Sequence, residues 1–231
     1  MKKFLLICAM VLGAFVLAGL IVWGHGPDTT SPAAASSPWQ IERLPNGASR
    51  VFGLNLSADP QAASTLGDAQ RLWSSDIQIA VIAAPGENGS LEAYIESAVL
   101  GFVTGKLVVT ADVSPELIGQ FRERATKAEF MDGTTRKYRL TAKDMATALR
   151  SPVLALAFIP QAQLDEATIT ARFGKAAQRV SGNEHTQHWL YPDKGLSVTL
   201  DTQGKELLQY VAPARFALLR DPLLKEPKRA P

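Results

Sequence analysis

Apolar residues are laid out along this chain of 231 residues in two regimes. Phe4 to Trp23 is apolar throughout and uncharged; as a helix rising ~1.5 Å per residue it covers ~30 Å, one bilayer crossing. Further on, apolar residues alternate or recur in short runs. Phe52, Leu54 and Leu56 alternate within Arg50 to Ser57 and predict a strand. Thr65, with Asp68 three positions on, opens a helix in which Leu66, Ala69, Leu72 and Trp73 recur at helical spacing. Strands are expected at Ile77 to Ala83, Leu91 to Ser97 and Leu107 to Val113, the first two separated by the turn Pro85-Gly86-Glu87-Asn88-Gly89.

The second half repeats that order. Val153 to Ile159 reads as a strand, Asp165 to Phe173 as a short helix, and His185 to Tyr191, Leu196 to Asp201 and Leu207 to Val211 as strands divided by Pro192-Asp193-Lys194-Gly195 and Thr202-Gln203-Gly204. Matching elements are offset by about 100 residues, which points to an internal duplication. Between the halves, Ser114 caps a helix expected from Pro115 to Thr126. A strand from Thr135 to Thr141 and a helix from Lys143 to Leu149 complete the join.

Charge gives this pattern a topology. Lys2 and Lys3 precede the apolar stretch, and Gly24 to Pro38 carries only Asp28, so the positive-inside bias leaves the N-terminus cytoplasmic. A cleaved signal peptide is the competing reading, but its apolar region is usually ~7–15 residues, and the nearest small-residue pattern, Ala33-Ala34-Ala35, lies well beyond Trp23. A lipoprotein would need Cys where Leu20 stands, and Cys8 sits too near the start.

The expected organisation is therefore α+β. Residues 1–3 are cytoplasmic and 4–23 form a transmembrane helix acting as signal anchor. Residues 24–48 form a flexible Pro/Ala/Ser-rich tether. Two similar units follow, 49–127 and 151–222, each a short helix packed on a small antiparallel sheet, joined by a connector at 128–150. Residues 223–231 are a disordered tail.

Residues 167–211 carry a resemblance. Phe173-Gly174-Lys175-Ala176, Trp189-Leu190-Tyr191, Gly195 to Asp201 and Gly204-Lys205 resemble the small envelope domains of the SmpA/OmlA type, which are similar to β-lactamase-inhibitor-protein repeats. The whole chain is similar to uncharacterised bacterial membrane-anchored envelope proteins. The resemblance implies a helical segment on a three-stranded sheet, a protein-binding or scaffold role in the envelope, and no active site to transfer. The first unit lacks a Trp-x-Tyr equivalent.

Candidate chemistry is sparse. The net charge is +2 and the basic residues lie scattered among acids, without the basic stripe a nucleic-acid binder shows. No Gly-x-Ser-x-Gly and no phosphate-cradling loop occurs; Gly101-Phe102-Val103-Thr104-Gly105 lacks the Lys and the following helix. His185 and His188 would share a face only on a helix, and the segment reads as a strand. Glu92, Glu96, Glu123, Asp165 and Glu166 are acids at ordinary surface frequency. No catalytic, metal or cofactor residue is therefore expected.

Trp189 and Tyr191 lie two apart on one strand, with Tyr210 on its neighbour and Tyr94 in the comparable hairpin of the first unit. They are either core or an aromatic protein-contact patch, depending on which sheet face is open. The expected function is a non-enzymatic, membrane-anchored envelope protein of the bacterial inner membrane that binds or scaffolds another envelope protein on the periplasmic side. The bilayer, met through residues 4–23, is its other partner. The alternative is a small-ligand-binding or hydrolytic domain with a cleft between the two units.

Overall fold

The computed structural model describes residues 37–74, 76–131 and 133–225. The expected membrane span at residues 4–23 lies outside them, and no helix among the described residues is long and apolar enough to cross a membrane.

The first described elements form a three-stranded antiparallel sheet, β1 (Glu42–Leu44), β2 (Ala48–Val51) and β3 (Leu54–Leu56). Part of the stretch expected as tether is thus structured. The single strand expected over Arg50 to Ser57 is broken by a two-residue turn, Phe52-Gly53, with φ of 54° and 83°. Alternation alone hid this turn; Gly53 is the residue that marks it. Phe52 accepts the left-handed conformation because its ring is fully buried between Phe158 and Tyr210, at centroid distances of 5.8 and 5.1 Å.

Next come helix α1 (Leu66–Leu72) and the meander β4 (Ile77–Ala83), β5 (Ser90–Leu100) and β6 (Val103–Ala111). Thr65 and Asp68 form a reciprocal capping box at α1, as their spacing predicts. Helix α2 (Pro115–Glu123), capped by Ser114, leads into β7 (Lys127–Phe130) and β8 (Arg136–Arg139), then α3 (Ala142–Ala148). The remainder is β9 (Val153–Pro160), α4 (Glu166–Phe173), β10 (Gln178–Ser181), β11 (Thr186–Tyr191), β12 (Leu196–Asp201), β13 (Leu207–Val211) and α5 (Ala217–Lys225).

The expected architecture of two small α+β units is overturned. Strands β4 to β13 form one ten-stranded antiparallel sheet in the order β10-β11-β12-β13-β9-β6-β5-β4-β8-β7, so the fold is mainly β with five short helices. β9 is the reason: it pairs with β6 on one side and with β13 on the other, welding the two meanders together. The residues expected as a connector supply β7 and β8 to the same sheet.

A repeat is present, at another period. In β7 and β8, Lys127 pairs with Arg139 and Ala128 with Tyr138; in β10 and β11, Gln178 pairs with Leu190 and Arg179 with Trp189. From 127 to 178 and from 139 to 190 the shift is the same, 51 residues. It also carries the helix cap Ser114 onto Asp165 and buried Ile118 onto Ile169. On the sheet, Val81 lies between Tyr138 and Leu91 as Val198 lies between Trp189 and Leu208. The related units are thus β6-α2-β7-β8 with β4-β5, and β9-α4-β10-β11 with β12-β13, facing one another across the β6–β9 seam. The offset of about 100 residues fails because it matches β3 to β9, and β3 belongs to the other sheet.

One sheet face carries the main core, in which Leu107, Val109, Leu156, Phe158 and Tyr210 meet Ile118, Phe121, Ile169 and Phe173 from the helices. The opposite face is covered at one end by Phe216 and by Leu219 of α5, which pack against Ala155, Leu190 and Val211.

Candidate functional site

Three of the four aromatics read as a contact patch belong to the interior. Trp189, Tyr191 and Tyr210 are 0%, 2% and 0% exposed on the helix-covered face. Each polar atom is committed inside the fold: Trp189 Nε1 donates to Gln187 Oε1 at 2.5 Å, Tyr191 Oη to the Gly174 carbonyl at 3.2 Å, and Tyr210 Oη to the Pro38 carbonyl at 2.8 Å. Burial raises the Tyr210 phenol well above its ordinary pKa. Tyr94 lies on the opposite face, half-buried, and donates to Glu96. The four do not form one site.

The histidines separate as strand geometry requires. His185 precedes β11 and sits 3.4 Å from Glu184, while His188 Nδ1 is 2.9 Å from Thr199 Oγ1. No group of three or more metal-ligating side chains exists among the described residues.

Of the acids, Glu92 departs from expectation. It sits mid-sheet on the face opposite the helices, 9% exposed, with Thr110 and Ala80 as cross-strand neighbours, and Ser90 Oγ donates to its Oε1 at 2.5 Å. Desolvation pushes its carboxyl up to about 7, with the Ser90 hydrogen bond opposing the shift. Alternation with Leu91 and Ala93, both of which point into the core, was the available sequence signal. The equivalent position in the other half is Gln209, also buried.

The seam between the two halves holds Leu107, Val109, Leu156 and Phe158, all at most 1% exposed, so no cleft opens there.

A groove does open at one end of the sheet. The tight β5–β6 connection places Gly101 and Phe102 between the paired Leu100 and Val103. Gly101 has φ +63°, and a Cβ on it would lie 2.4 Å from Ser37 Oγ, so the incoming chain crosses this turn in close contact. That approach brings Trp39 against Phe102, ring centroids 5.1 Å apart, and Arg172 from α4 stacks over Trp39 at 4.5 Å. With Thr104, Gln161 and Leu164 they line a groove of about 520 Å³. Phe102 is 75% exposed and the adjacent Val99 58%. An aromatic at the tip of a two-residue turn, where Gly, Asn or Asp is usual, was the signal in the sequence.

The sheet ends in two edge strands, β7 and β10, neither of which pairs outward with another described strand. They differ in what they display. β10 presents Gln178, Arg179 and Ser181, with Val180 half-buried, whereas β7 presents Phe130, 67% exposed, beneath the Arg136 guanidinium at 4.4 Å.

No family model, no curated protein and no solved structure matches the chain.

Proposed function

We propose that the protein is a non-enzymatic, membrane-anchored module of the bacterial cell envelope that binds another envelope protein on the extracytoplasmic side. The observation that carries this reading is the β7 edge. Its outer side pairs with no described strand, and its exposed Phe130 is backed by the Arg136 cation. An exposed sheet edge accepts an added strand through main-chain hydrogen bonds, and an aromatic with an arginine is the composition of an interface anchor. The apolar residues 4–23, with lysines before them and none directly after, support the anchor.

The test is photo-crosslinking in the cells that naturally make the protein. A photoreactive phenylalanine at position 130 is expected to give one discrete adduct, with none from the same probe at Asn88 in the β4–β5 turn. Absence of an adduct at position 130, or equal labelling from both positions, would count against a partner at this edge.

A further inference from the structure

We infer that the β5–β6 tip, with Trp39 and Arg172, docks into the interfacial layer of the bilayer and stands the sheet upright on the membrane. This rests on the anchoring read from residues 4–23. The first observation is the tip itself. Phe102 and Val99, 75% and 58% exposed, form an apolar projection at a turn where polar residues are the rule. Trp39 leans on Phe102, and the exposed Arg172, which lines the groove, stacks on Trp39 at 4.5 Å. A tryptophan and a phenylalanine beside a snorkelling cation match the layer where acyl chains meet lipid phosphates.

The second observation selects the bilayer as occupant. The chain leaves the apolar stretch at Trp23 and touches Gly101 of the tip through Ser37. Those 14 residues span at most ~50 Å even when fully extended. The tip is therefore the part of the domain into which the link from residues 4–23 leads, and docking there completes a contact the covalent chain has already brought close. Gln161 and Leu164 lie at the same end of the sheet, since Pro160 at the end of β9 pairs with Gly105 near the start of β6. With that end down, the β7 edge faces sideways along the membrane, toward proteins anchored beside it.

The experiment uses the full chain reconstituted in phosphatidylethanolamine/phosphatidylglycerol vesicles. Cys8, its single cysteine, is replaced (Cys8→Ala), and an environment-sensitive fluorophore is attached at Val99→Cys or, for comparison, Asn88→Cys. The label at 99 is expected to shift to the blue and to lose intensity to lipids carrying a quencher near the headgroup. The label at 88, at the opposite end of β5, is expected to do neither. Adding Phe102→Ser, a change at an exposed position, is expected to return the label at 99 to its emission in water. An alkaline carbonate wash of the same vesicles reads the anchor separately. A chain that is washed off sinks the anchoring reading and this inference with it. A chain that is retained, with labels at 99 and 88 equally water-exposed, overturns the docking alone. A label that responds in native membranes but not in lipid vesicles would assign the groove to a protein and likewise overturn it.

Discussion

The sharpest consequence of the fold concerns Glu92. Its carboxyl is buried in mid-sheet and titrates at about 7 in the folded protein, against ~4.3 in an unfolded chain. Between those values the folded state holds a proton that the unfolded state has released. The stability it contributes is complete below pH ~4.3, falls as pH rises, and is lost above about 7. At ~1.36 kcal/mol per pH unit, raising the carboxyl from its ordinary value of 4.5 to about 7 corresponds to about 3 kcal/mol. Glu92→Gln removes the titration and keeps the shape, and it installs the residue type that Gln209 supplies at the matching place in the other half. Thermal unfolding followed by circular dichroism at pH 5 and pH 8.5 checks this. The advantage of the variant over the parent should grow by about 2–3 kcal/mol between the two pH values, because at pH 5 the unfolded carboxyl is already partly ionised, or ~5–10 °C in Tm for a domain of this size. Any fixed cost of the amide cancels in that comparison. An advantage that is the same at both pH values would refute the argument, since it would show that Glu92 is ionised or solvated throughout.

Other perturbations test the packing. Trp189→Ala should cost ~3–5 kcal/mol in urea unfolding, because the indole is fully buried in the main core; a near-neutral result would return Trp189 to the surface. Gly105→Ala should cost ~1–3 kcal/mol, since the added Cβ would meet the Ile159 carbonyl at 2.3 Å and the Phe158 ring at 2.6 Å across the seam. The Arg124 guanidinium beside Asp144 holds its carboxyl below the usual range, with Nη2 at 2.7 Å from Oδ1. That contribution is present above pH ~4 and lost as pH falls through the folded pKa, so Asp144→Asn should flatten the acid limb of stability; an unchanged limb would show that the pair does not contribute.

Local elements were legible in the sequence because their signals are local. Ile77 to Ala83, Leu196 to Asp201 and Leu207 to Val211 are strands with the boundaries that alternation predicts, and the Thr65 and Ser114 caps sit where helix-start chemistry puts them. What could not be read was which strand pairs with which. Val153 to Ile159 is apolar on both faces, the pattern of a strand covered on both sides, and its place between β6 and β13 decides the fold class. The true repeat was hidden for a related reason. In it β4–β5 precedes its unit in the chain while β12–β13 follows its own, so a comparison in linear order aligns the wrong elements. Of the candidate site, the Trp189-Leu190-Tyr191 strand is visible in the sequence but its face is not, and Phe102 lies within a glycine-flanked motif that does not by itself show it projecting from the fold.

The near-symmetry of the sheet says where function should be sought. Two halves that match in edge-hairpin register and helix placement have similar structural needs there, so positions serving only the fold should resemble each other, as Ile118 and Ile169 or Val81 and Val198 do. Positions where one half spends apolar or ionisable groups that the other does without are the places where folding alone gives no account of the residue. Glu92 against Gln209 is one such place, and Phe130 against Ser181 at the outer edges is another, with Phe130 67% exposed although its counterpart shows that a small polar residue suffices. An exposed phenylalanine that the edge does not need structurally is costly to keep in water. Its retention on β7 is intelligible if a partner covers it, which is why the crosslinking probe belongs at position 130 and not on β10.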